Sequence, residues 1–239
     1  LDVDTEGQLI ASVLSKKIAA GSTHVVIDIP VGTTAKVRSR ETASQLAARM
    51  RSVGKRFGLT VICLQTDGSQ PIGRGIGPAL EALDVLAVLQ NASHAPDDLR
   101  RRAAMLAGAA LELAGKVGEG EGMALALKTL SNGRAWSKFQ AICEAQGGMR
   151  VPPTATNVHP LIAPRAGRVV HIHNRKLARL AKLAGAPEGK AAGVRLEVRL
   201  GEEIDRGHPI MHVHSETTGE LAYALEYAAR SGDIIEVDS

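Results

Sequence analysis

Two short apolar runs set between helical stretches constrain this chain more than any other feature. "THVVIDI" (23–29) and "LTVICLQ" (59–65) are rich in β-branched residues and lack a polar alternation, the pattern of strands buried in a parallel sheet. Pro30 and Gly32 end the first run and open the loop "VGTTAK". Ser39 is then placed to cap a helix through "RETASQLAARMRSV", with Gly54 as its stop. Ahead of both runs, "LIASVLSKKIAAG" sets Leu9, Ile10, Val13, Leu14 and Ile18 along one side of a helix that Gly21 terminates. Parallel strands need crossovers of this kind, so the pattern predicts an α/β fold: a parallel sheet with flanking helices.

A glycine-rich connection, "TDGSQPIGRGIGP", leads into the helix "ALEALDVLAVL", with Pro78 in its first turn. Asp97 and Asp98 open another helix to about Ala114, and "MALALKTL" and "AWSKFQAICEA" read as two more. Residues 147–158, "GGMRVPPTATNV", read as a linker. Beyond it the rhythm changes: strand "GRVVHIH", helix "RKLARLAKLAG" capped by Asn174, strands "VRLEVRL" and "PIMHVHS", helix "ELAYALEYAAR" and strand "DIIEV". The expected organisation is an α/β part over 1–150 and a C-terminal α+β domain over 155–239.

Phe57, Trp136, Phe139, Tyr223 and Tyr227 are all the aromatic residues in 239, so the cores are aliphatic. Such scarcity argues against the stacking platforms that bind single-stranded nucleic acid. A net charge of +4 is too mild for a nucleic-acid polymer and suits a protein that handles small anions. The cluster Arg100–Arg102 reads as a solvated helix face. Cys63 and Cys143 have no metal-type spacing, no apolar run approaches a membrane span, and no secretory signal is visible. A reduced, cytoplasmic setting is the expectation.

Five places invite chemistry. Ser12 and Lys16 lie four apart on the polar side of the first helix and so can converge on one ligand, the serine donating or accepting and the lysine supplying positive charge. Lys36 sits in the loop after a buried strand, where open α/β sheets bind ligands. Asp4 precedes the Ser12 helix, within reach of a cleft, whereas Asp28 reads as a turn or packing residue. "PIGRGIG" has the glycines of an anion loop but no Walker lysine, and turn formation is the preferred reading. His171 with His173, and His212 with His214, share strand faces in pairs. Four imidazoles could meet at a metal, but no carboxylate or cysteine stands obviously beside them, and solvent-facing histidines are the preferred reading. No metal or cofactor is called for.

Taken together, "IASVLSKKIAAG", "VVIDIPVGTTAK" and "TDGSQPIGRGIGPALEALDVL" resemble the thymidine phosphorylase family. The resemblance is strongest to the branch holding archaeal AMP phosphorylase and the type 2 bacterial thymidine phosphorylases, and it extends over essentially the whole chain. It implies homodimers or higher homo-oligomers with a small helical lobe, a large α/β lobe and a C-terminal α+β domain, the active site lying between the first two. Ser12 and Lys16 match the serine and lysine of the family's S-x-x-x-K-K helix, which bind the base edge. Asp4, eight residues before that serine, matches the branch's proton donor. Lys36 matches the branch's nucleotide-binding loop lysine, which replaces an apolar or aromatic residue of ordinary thymidine phosphorylases.

The implied activity is that of a pentosyltransferase: phosphate cleaves the N-glycosidic bond of a pyrimidine nucleoside, turning thymidine into thymine and 2-deoxyribose 1-phosphate. Phosphate is then a co-substrate and no cofactor is needed. The alternative within the branch is an AMP or CMP phosphorylase yielding ribose 1,5-bisphosphate. A third reading is a non-catalytic binding or assembly module on the same scaffold. In the family the phosphate-binding glycine-rich segment precedes the region matched here, and the chain starts at Leu1, directly before a motif. The expectation is a C-terminal half to two-thirds of a phosphorylase, with little or no turnover by itself.

Overall fold

The computed structural model describes residues 6–238. In chain order the elements are α1 (Glu6–Ala19), β1 (His24–Val31), α2 (Arg40–Arg56), β2 (Thr60–Asp67), β3 (Gly75–Ile76), α3 (Pro78–Leu89), α4 (Asp97–Leu113), α5 (Gly122–Ser131) and α6 (Arg134–Ala145). Then follow β4 (Asn157–Ile162), β5 (Gly167–Ile172), α7 (Asn174–Leu183), β6 (Gly193–Leu196), β7 (Glu203–Ile204), β8 (Pro209–Ser215), α8 (Thr218–Arg230) and β9 (Ile235–Asp238). The mixture is α/β, as the sequence predicts. No helix of the described residues is long and apolar enough to cross a membrane.

The residues form two compact units that do not follow chain order. One gathers the chain up to Gly68 with Arg101–Lys128; the other gathers Ser69–Arg100 with everything from Thr129 onward. Residues 69–100 therefore group with the C-terminal residues rather than with the chain that precedes them.

In the first unit β1 and β2 run parallel, in register from His24 opposite Thr60 to Val31 opposite Asp67. Val25, Ile27 and Ile29 point to one side of β1 and are buried with Ile10 and Leu14 of α1 and Leu46 and Met50 of α2. Removing each such side chain from water contributes roughly 1.5–3 kcal/mol. The opposite face, with Val26 and Asp28, is only half-buried, so the strand is less enclosed than its apolar run suggests. Ser39 caps α2, its hydroxyl accepting the Thr42 amide at 3.1 Å. Gly54 does not end that helix, which runs on to Arg56, with Gly58 (φ +73°) supplying the left-handed turn beyond it. Gly54 instead lets α2 close on β2: a Cβ there would stand 2.5 Å from Val61 Cγ2.

The second unit holds a four-stranded antiparallel sheet in the order β3-β6-β8-β4 and a three-stranded one in the order β7-β5-β9. α7 lays Leu177, Leu180 and Ala181 into their shared core, alongside Val169, Val194 and Val213. The N-cap of α7 is His173 and not Asn174; the imidazole Nδ1 accepts the Lys176 amide. The stretch that reads as a linker ends two residues early, because Asn157 and Val158 begin β4 on the sheet edge.

Candidate functional site

Ligands of open α/β folds bind beyond the carboxyl ends of parallel strands, and in the first unit that end is hollow. β1 leaves the sheet at Pro30 and Val31, and the following loop folds back on itself: Gly32 N–H donates to Val37 O at 3.1 Å and Ala35 N–H to Gly32 O at 3.0 Å. This turn carries Lys36 to the wall of a 350 Å³ cavity. Leu9 and Val13 of α1 and Asp28, Ile29 and Pro30 of β1 form other parts of that wall. A smaller crevice of 230 Å³, lined by Val31, Arg40, Gln65, Thr66 and Asp67, opens at the same strand ends.

Ser12 and Lys16 are both exposed on α1 and neither lines the cavity. They flank it. With ~100° per residue, Lys16 projects only ~20° from the direction of Leu9, and Ser12 lies on the same flank. The helix gives the cavity an apolar edge, Leu9 and Val13. Lys36 is exposed in its loop. Asp4 lies outside the described residues.

On the face of β1 opposite Ile27 and Ile29 lies an ion pair that sequence reasoning missed. Asp28 Oδ2 accepts from Arg102 Nη1 at 2.9 Å, and Asp28 Oδ1 accepts from the Thr66 hydroxyl at 2.6 Å. The second guanidinium nitrogen of Arg102 donates to the Asp67 carbonyl at 2.7 Å. Arg102 keeps 13% of its side-chain exposure and Asp28 25%, so Arg102 is no part of a solvated face. Arg100 also has a partner, donating to Asn91 Oδ1 at 2.8 Å. Nothing in "LRRRAAM" distinguishes Arg102 from its neighbours; only the fold brings it to a carboxylate 74 positions away. On β2, Cys63 is half-buried, and burial pushes its thiol pKa up, away from reactive thiolate chemistry.

The glycine-rich segment, in the second unit, is a structural turn. Its amides are taken by the protein's own carboxylates: Arg74 and Gly75 N–H donate to Asp84 Oδ2 at 2.6 and 2.8 Å, Gly73 to Asp98 Oδ2 at 3.2 Å, and Gly77 to Glu81 Oε1 at 3.0 Å. The histidine pairs lie on two different sheets, in β5 or just after it and in β8. All four are half-buried rather than solvent-facing, and carboxylates do stand beside two of them. His212 Nδ1 lies 3.0 Å from Glu197 Oε1, and His171 Nδ1 lies 3.5 Å from Glu236 Oε1. Among the described residues no group of three or more histidines, cysteines and acids is placed to hold a metal ion.

The geometry defines an α/β protein with a ligand-sized, cation-bordered hollow at the end of a parallel strand pair. No family model matches the chain. It is 77% identical over its full 239 residues to a protein of Chelativorans sp. named "Putative thymidine phosphorylase", covering 47% of that protein. It is 64% identical over 238 residues to one of the same name from Tolumonas auensis, and 55% identical over 235 residues to one from Legionella pneumophila, covering 47% and 46% of them. Throughout its length the chain is similar to proteins named as thymidine phosphorylases. It spans about half the length of the curated relatives it matches.

Proposed function

We propose that this chain supplies the base-binding side of a phosphorolytic active site in a pentosyltransferase of nucleoside metabolism, with thymidine or a related pyrimidine nucleoside as substrate. One observation carries the reading: a cavity with Lys36 on its wall at a parallel-strand end, in a chain 77% identical throughout to a protein bearing that name. Phosphate attacks the anomeric carbon of the sugar, the N-glycosidic bond breaks with its electron pair going to the base nitrogen, and the sugar leaves as its 1-phosphate. Ser12 and Lys16 hold the base edge. Lys16 and Lys36 stabilise the negative charge that grows on the base, and the Asp4 carboxyl delivers the proton that neutralises it. The phosphate itself is taken by parts of the enzyme that the relatives carry beyond the region matched here. The working enzyme is a cytoplasmic homodimer or higher homo-oligomer and uses no cofactor.

Lys36 favours a second reading, an AMP or CMP phosphorylase giving ribose 1,5-bisphosphate, because an ammonium on the cavity wall is suited to a nucleotide's phosphate. A panel of thymidine, uridine, AMP and CMP, assayed for base release by the full-length gene product with and without phosphate, tests both. Phosphate-dependent release from at least one substrate is expected. Release without phosphate, or none from any substrate, overturns the reading in favour of a non-catalytic binding or assembly module. Lys36→Met lowers kcat/KM for nucleotides by about tenfold more than for nucleosides if the second reading holds.

A further inference from the structure

Edge strands invite pairing, and three of the four in the second unit are guarded by shortness or charge. β3 and β7 are two residues long, and β9 carries Glu236 and Asp238. β4 has neither guard. Its six residues, NVHPLI, include no lysine, arginine, aspartate or glutamate, and Val158 and Ile162 stand 48% and 58% exposed. Pro160 is its one protection: with no N–H to offer a neighbouring strand, it blocks a continuous ladder but not side-chain packing. The same strand lines a groove of 610 Å³. Buried Ile210, Met211 and Ile234 form the floor, and Leu225 and Ala228 of α8 belong to the wall. No lysine, arginine, aspartate or glutamate lines this groove, although the chain holds 29 basic and 25 acidic residues.

That chemistry selects the occupant. A charged partner finds nothing in the groove to pair with. In a two-fold contact one patch meets itself, so any charge on it confronts its own kind, and an uncharged patch is what such a contact requires. This patch also supplies both sides of a fit, a groove and exposed apolar residues on the strand that lines it. We propose that β4 and its groove form a two-fold interface with a second copy of this chain, Val158 and Ile162 of each copy packing into the groove of the other. Pro160 makes the contact one of side chains, and the two-fold axis closes it at two copies, so the edge does not propagate into a fibre. The interface gives the homo-oligomer of the functional reading a place on the molecule, and it rests on that part of the reading alone.

The test is analytical ultracentrifugation of the full-length gene product over a range of concentrations, as wild type, Ile162→Glu, Ala229→Glu and Tyr223→Glu, each checked for folding by thermal denaturation. Ala229 is an exposed residue of the groove, whereas Tyr223 stands 68% exposed on α8 outside it and controls for added charge. Wild type is expected to associate. Both groove variants are expected to weaken one association step about tenfold or more, since each buries an unpaired carboxylate, and Tyr223→Glu leaves that step unchanged. If Ile162→Glu does not fold, Ile162→Ser takes its place beside Ala229→Glu, with a smaller loss in the same direction. A monomeric wild type, an association that neither groove variant moves, or an equal loss in Tyr223→Glu overturns the interface. Where association does not move, uptake of an apolar dye by wild type and not by Ile162→Glu assigns the groove to a small apolar ligand instead; no uptake assigns its cover to the rest of the full-length protein. Phosphorolysis is assayed on the same preparations. Turnover by a monomeric wild type overturns the interface and leaves the phosphorolytic reading intact, whereas an associating wild type without turnover overturns that reading and leaves the interface standing.

Discussion

Gly77 and Gly193 meet across the β3–β6 pair so closely that neither tolerates a side chain. A Cβ on Gly77 would stand 2.3 Å from Ala192 O, and one on Gly193 would stand 2.1 Å from Ile76 O. Both residues also hold positive φ, +135° and +151°, a backbone region that L side chains rarely adopt. Through this contact the glycine-rich segment becomes an edge strand of the four-stranded sheet, helped by Leu196 N–H to Arg74 O at 2.8 Å and Ala79 N–H to Lys190 O at 3.0 Å.

Gly193→Ala is therefore expected to destabilise the protein by about 2–3 kcal/mol or more through clash and backbone strain together. Urea denaturation measures it. Gly219→Ala is the control, because a Cβ there meets nothing within 4 Å. Equal stability of the two variants would show that β3 does not pack on β6 as described.

His214 gives stability a defined pH dependence. Burial holds its pKa below the ordinary value; His212 and Arg195 push the same way, and Glu197 opposes them. The folded state thus binds the proton less readily than the unfolded state, whose histidine titrates near ~6.5. Stability is fully present above that pH and falls as pH drops through it toward the lower folded pKa. His214→Gln should flatten this part of the curve in denaturation series run from neutral to mildly acidic pH. An unchanged slope would place the titration elsewhere.

Asp4 and Lys16 should separate kinetically in the full-length gene product. Asp4→Asn keeps size and hydrogen bonding while removing the proton, and should lower kcat by roughly 10²-fold or more with little change in KM. Lys16→Met should raise KM and lower kcat/KM together, since the ammonium acts on bound and departing base alike. Lys16 is exposed on α1, so its loss leaves the core of Ile10 and Leu14 untouched. Near-normal turnover of Asp4→Asn across pH would reject the proton-donor assignment.

Cys63 should react slowly with iodoacetamide in the native protein and quickly in urea, because burial disfavours its thiolate. Mass-spectrometric peptide mapping over time reads this. Fast native labelling at Cys63 would mean that β2 is more open than the structure has it.

Elements with strong period were legible without the structure. The buried stripe of α1 is the one its spacing predicts, and β1, β2, α2 and α3 fall where apolar runs, Ser39 and Pro78 put them. Elements whose existence depends on a distant partner were not. β3 and β7 are two residues each, too short for any period, and exist because β6 and β5 pair with them. β4 is an edge strand containing Pro160 and shows little burial, so its sequence looks like linker. Gly54 reads as a stop because glycine commonly is one, whereas here the missing side chain serves packing against Val61. Ser12, Lys16 and Lys36, the residues proposed to hold the substrate, are legible through local spacing and family motif. Arg102 is not, since its meaning lies in a carboxylate brought to it by tertiary structure.

The central claim is that phosphate, and not water, takes the sugar from the base. The most direct measurement runs the reaction of the full-length gene product in ¹⁸O-labelled water with unlabelled phosphate, following products by ³¹P NMR and mass spectrometry. The account predicts one sugar 1-phosphate for each base released, with no label in the oxygen bonded to the anomeric carbon. Free sugar carrying ¹⁸O at that carbon would mean hydrolysis and would contradict the account.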